Sequence, residues 1–114
     1  MKNSLILFSA GLLALSCTAF EDHQVRIEVT GDSGIVFSGC HATAFRGLDS
    51  VTGTIPAHWV VPVKRVGDAV SAYFQKVNQP GTMTGRMIVN GDTVQEKTVT
   101  NPSDALHMHW EPGR

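Results

Sequence analysis

From residue 24 onward, apolar and polar side chains alternate in short runs. Val25, Ile27 and Val29 fall on one side, and Arg26, Glu28 and Thr30 on the other. A period of two is the pattern of a strand with one buried face. Gly31-Asp32-Ser33-Gly34 then supplies turn residues. A second strand is expected over residues 35–44, where the consecutive Ile35, Val36 and Phe37 blur the alternation and point to partial cover on both faces. A short strand is expected over 50–55. Beyond Pro56, Trp59, Val61 and Val63 alternate with His58, Val60 and Pro62. Proline cannot donate a ladder hydrogen bond, so this segment is expected to be an edge strand or an irregular one.

The alternation then resumes. Val70, Ala72 and Phe74 oppose Ser71, Tyr73 and Gln75, while Met83, Gly85, Met87 and Val89 share one side of residues 82–90. Asn90-Gly91 is a hairpin signal, because a tight two-residue turn requires positive φ at both central positions. A returning strand is expected over 93–100, and after the turn at Asn101-Pro102-Ser103-Asp104, Leu106, Met108 and Trp110 alternate with His107 and His109. Seven or eight short antiparallel strands with no helical segment predict an all-β domain over residues 24–110. Strands at this spacing point to a β-sandwich of immunoglobulin-like size, with an up-and-down barrel as the alternative. Val25, Ile27, Val29, Val70, Ala72, Phe74, Met87, Val89 and Trp110 are expected inside.

The first nineteen residues read differently. Lys2 precedes an apolar run at 5–15, and small residues follow at Ser16, Cys17, Thr18 and Ala19. Those are the three parts of a secretory signal, and the run is too short for a span of ~20 residues. Two endings are open. Leu13-Ala14-Leu15-Ser16-Cys17 resembles a lipobox, with cleavage before a lipidated Cys17; otherwise cleavage follows Ala19. Either leaves Cys40 without an intrachain partner, and it is expected to be a buried free thiol.

Composition narrows function chiefly by exclusion. Nine Lys and Arg stand against ten Asp and Glu in 114 residues. No basic stripe is available to neutralise phosphates, which argues against nucleic acid as a partner. No Gly-x-Ser-x-Gly elbow or telling carboxylate pair is present, so no catalytic residues are assigned and no cofactor is expected. Glu21-Asp22 falls in the tether, and Asp92 and Asp104 fall in turns. The one suggestive constellation is His107-Met108-His109. With Leu106, Met108 and Trp110 inward, both imidazoles project from one face, where they would provide two ligands for Zn²⁺ or Cu²⁺. Two solvated His on a terminal strand is the plainer reading.

Four stretches carry a resemblance: Val25-Arg26-Ile27-Glu28-Val29-Thr30-Gly31, Ile55-Pro56 with Trp59, Val66 to Ala72, and Gly81 to Gly91. Together they resemble the extracytoplasmic domain of the MmpS family, small membrane-anchored accessories of lipid exporters, and also small bacterial lipoproteins. The resemblance implies a shared sandwich fold and a role beside an exporter; it implies no catalytic residues. An MmpS protein keeps an uncut membrane helix, whereas this leader has the features of a cleavable one. The expectation is a non-enzymatic exported protein of the bacterial cell envelope, lipid-anchored or secreted, that binds an envelope protein or lipid. A periplasmic metal-binding module using His107 and His109 is the alternative from a different class.

Overall fold

The computed structural model describes residues 22–113, so the leader and Cys17 lie outside the described residues. Within them the chain forms β1 (His23–Gly31), β2 (Val36–Thr43), β3 (Gly47–Thr54), β4 (Ala57–Val63), β5 (Val70–Lys76), β6 (Met83–Val89), β7 (Asp92–Val99) and β8 (Ala105–Trp110), and no helix. The strands make two four-stranded antiparallel sheets. Sheet A has the order β4-β1-β6-β7, and sheet B has the order β3-β2-β5-β8. The all-β sandwich expected from the alternation is therefore present. Its layering is that of immunoglobulin-like domains, although its strand order differs from the A-B-E-D and C-F-G of a constant-type domain.

Each sheet buries one face because each strand alternates. Val25, Ile27 and Val29 of β1 are fully buried, and Met83, Met87 and Val89 of β6 lie beside them on the same face. From the other layer, Phe37, Val70, Ala72, Phe74, Leu106 and Met108 close the core. Burying a large apolar side chain contributes roughly 1.5–3 kcal/mol, so these inward rows supply most of what opposes chain entropy. Of the two settings Pro62 allows, β4 takes the edge of sheet A. The hairpin at Asn90-Gly91 also forms, with φ of 53° and 82° and with Val89 paired to Asp92.

Three expectations need correction. Trp110 is half-buried rather than interior, because β8 is an edge strand and its ring rests edge-on against His23 at 5.5 Å. Cys40 is also only half-buried: Phe37 points inward, and strand parity then sends Gly39, His41 and Thr43 inward and Cys40 outward. Asp22 is no loose tether residue. Its carboxylate accepts from Arg46 Nη2 at 3.2 Å and lies 3.7 Å from Lys64 Nζ, fixing the start of β1 to both sheets' loops.

Two charged residues are buried, and both satisfy backbone. Lys76 continues the inward row of β5, where its Nζ donates to the Gly81 carbonyl and to the Thr100 carbonyl at 3.0 Å. It thereby ties the loop before β6 to the loop before β8. Asp68, in the loop before β5, accepts backbone N–H groups from Lys64 at 2.8 Å, Ala69 at 2.9 Å and Phe45 at 3.2 Å. Burial pushes its carboxyl upward, but the N–H groups of Lys64, Ala69, Phe45 and Ala44 outweigh this and hold it below the ordinary aspartate value.

A pKa lowered in the folded state means that ionised Asp68 stabilises the fold above its unfolded pKa of ~3.9. That contribution is lost as pH falls through the lower, folded value. Asp68→Asn should therefore be less stable at pH 7 and lose less on acidification than the wild type. Melting temperatures followed from pH 7 down to pH 3 check this; parallel curves would rule it out.

Candidate functional site

The outer faces of the two sheets differ in kind. On sheet A, Arg26 Nε donates to Glu28 at 2.6 Å, and Arg86 pairs with Glu96 across β6 and β7. These charges keep the face hydrated. On sheet B every outward strand position carries a neutral side chain or a histidine. β2 offers Val36, Ser38, Cys40 and Ala42, and β3 offers Leu48, Ser50, Thr52 and Thr54. β5 contributes Ser71, Tyr73 and Gln75, and β8 contributes Ala105, His107 and His109. Register aligns Ser50, Cys40, Tyr73 and His107 in one row across all four strands. Leu48 is 64 % exposed and Tyr73 40 % exposed, so the face presents substantial apolar surface to solvent. The Tyr73 hydroxyl lies 3.4 Å from Gln75 Oε1, which places these two exposed side chains together as the alternation indicated.

His107 and His109 do point outward, as the inward Leu106 and Met108 require. Yet they are not presented as an open pair of ligands. His109 Nδ1 lies 2.9 Å from Ser71 Oγ, and its Nε2 lies 3.2 Å from Glu111 Oε1, so both ring nitrogens are engaged. Among the described residues, no three His, Cys, Asp or Glu side chains gather closely enough to hold a metal ion. Asp104 caps a turn as expected, accepting from Asn101 N at 3.1 Å.

Sequence reasoning missed a second feature, on the inner side of sheet B. A cleft of about 230 Å³ lies where β3, the edge of one sheet, faces β4, the edge of the other. His41, Thr43, Arg46 and Asp49 line one wall, and Val60, Val61 and Pro62 line the other. His41 and Asp49 are directly opposed across β2 and β3, on the inward-facing side. The His41 ring leans on Trp59 at 5.9 Å, and Trp59 is stacked on Phe74 at 5.5 Å, so the aromatic core fixes the imidazole. The signal was strand parity from Phe37, which the uninterrupted apolar run 35–37 concealed.

No helix among the described residues is long and apolar enough to cross a membrane. No protein-family model matches the chain, and no curated protein matches it.

Proposed function

We propose that this chain is a non-enzymatic binding protein of the bacterial cell envelope, which presents the outer face of sheet B to a partner protein. The observation that carries this reading is the contrast in charge between the two outer faces. Taking a fixed charge out of water costs several kcal/mol unless it is paired, so a face whose strand positions carry no Asp, Glu, Lys or Arg, and whose bordering Glu111 is engaged by His109, is the one that desolvates at least expense. Interface cores are depleted in Lys, Glu and Asp and enriched in Tyr, and Tyr73 stands in the middle of this face. The leader features at residues 1–19 support placement outside the cytoplasm, anchored through Cys17 or released after Ala19. An accessory beside an exporter would be one protein of this kind.

The test places a photo-crosslinking side chain at Tyr73 on sheet B, or at Thr98 on sheet A, in cells making the full chain. One discrete adduct from position 73, absent from position 98 and lost on adding Ser38→Lys, is the expected result. Adducts from position 98 alone, or from neither position, would refute the assignment of this face.

A further inference from the structure

The cleft between β3 and β4 is separate from the proposed docking face, since it opens from the inner side of the same sheet. Its polar groups are built in but unspent. His41 is only 8 % exposed, and among the described residues neither ring nitrogen has a hydrogen-bond partner. Since no buried side-chain nitrogen or oxygen among the described residues lacks a partner, both ring nitrogens reach solvent, and the cleft that His41 lines is where an occupant would meet them. Asp49, opposite it, carries no ion pair or hydrogen bond to its carboxylate among the described residues. Arg46 uses one guanidinium nitrogen on Asp22 and has further N–H groups to offer.

These groups define the chemistry of the occupant. Asp49 accepts only, Arg46 donates only, and a neutral imidazole does one at each nitrogen. A ligand that is itself an anion would face Asp49, and a cation would face Arg46. A ring of hydroxyl groups, each both donor and acceptor, satisfies all three, and its C–H face fits the wall of Val61 and Pro62. Sites for drug-sized ligands run to roughly 300–1,000 Å³, so a cleft of about 230 Å³ takes one small ring. We infer that the His41–Arg46–Asp49 cleft binds a single neutral sugar ring, free or at the end of a longer glycan.

Backbone amide NMR of the purified protein, titrated with methyl hexosides, methyl N-acetylhexosaminides and a linear oligosaccharide of each, tests this. The expected result is saturable shifts centred on His41, Asp49 and Val61 with at least one of these probes. Asp49→Asn, at an exposed position that leaves the core intact, should weaken binding about tenfold, the loss of one charge-assisted hydrogen bond. His41→Gln should weaken it similarly if the variant folds; the Asp49 change decides the matter if it does not. An oligosaccharide binding more tightly than its methyl glycoside would identify chain ends as the source, and equal binding would identify the free sugar. Shifts confined to other surfaces, no saturation with any probe, or an Asp49→Asn variant that binds undiminished would overturn the inference. So would tight Zn²⁺ binding at His41 and Asp49 that excludes every sugar.

Discussion

Replacing Phe74 by Ala should lower the free energy of unfolding by about 3–5 kcal/mol. The side chain is fully buried in β5 and meets Phe37 edge to face at 5.6 Å. On its other side it stacks with Trp59, which comes from sheet A. Truncation removes the ring that both layers share, and Phe37 and Trp59, themselves only 6.0 Å apart, cannot collapse far enough to refill the space. Small domains hold only about 5–15 kcal/mol in all, so the variant should sit close to its unfolding threshold. Urea denaturation with an unchanged slope measures the effect. A loss under about 1 kcal/mol would mean that the two sheets do not meet through this ring.

Gly39→Val should be comparably severe, for a different reason. Gly39 lies on β2 opposite Phe74 of β5, and a Cβ added there would stand 1.9 Å from the Tyr73 carbonyl oxygen and 2.9 Å from Phe74 Cα. Both atoms are backbone of a central strand, so neither can swing aside, and the β2–β5 ladder itself has to part. A cost of about 3 kcal/mol is expected, at the upper end for overpacking. Gly53→Ala is the control. Its Cβ would meet only the tip of the Phe37 ring, at 3.2 Å, and a side chain can give where a ladder cannot. Hydrogen exchange in β2 and β5 should accelerate in Gly39→Val and stay near wild type in Gly53→Ala. Equal behaviour of the two variants would contradict this account.

How far the fold could be read from sequence depended on whether a segment's alternation was clean. β1, β5 and β8 alternate cleanly enough for their inward rows to be legible, and in β6 Met83 and Gly85 set the parity ahead of the adjacent Met87, Ile88 and Val89. β4 declared itself an edge or irregular strand through Pro62, and Asn90-Gly91 declared its hairpin. Three adjacent apolar residues at 35–37 blurred the parity of β2, so Cys40 was placed inside on the burial habit of a lone cysteine, and the inward His41 stayed hidden. Lys76 was hidden by its residue type, since nothing local says that a lysine will continue an inward row to reach the carbonyls of Gly81 and Thr100. Asp68 reads as an ordinary turn residue until Phe45, distant in sequence, brings it a third donor. Membership of the two sheets was not legible at all, because most partners are far apart along the chain.

That last property governs how the molecule assembles. Only β2–β3 and β6–β7 are neighbours both in sequence and in a sheet; every other step along the chain crosses between layers. Val25 must find Val89, and Val70 must find Trp110. Closing such long loops costs entropy before the contacts repay it, which places folding in the milliseconds-to-seconds range of non-local β proteins rather than the microseconds of local ones. A chain appearing from its N-terminus can pair β1 with β4, but the other edge of β1 stays unpaired until β6 arrives. Throughout that interval an apolar strand offers open backbone groups to any neighbour, so the nascent chain is at its most aggregation-prone when three-quarters of it has already emerged.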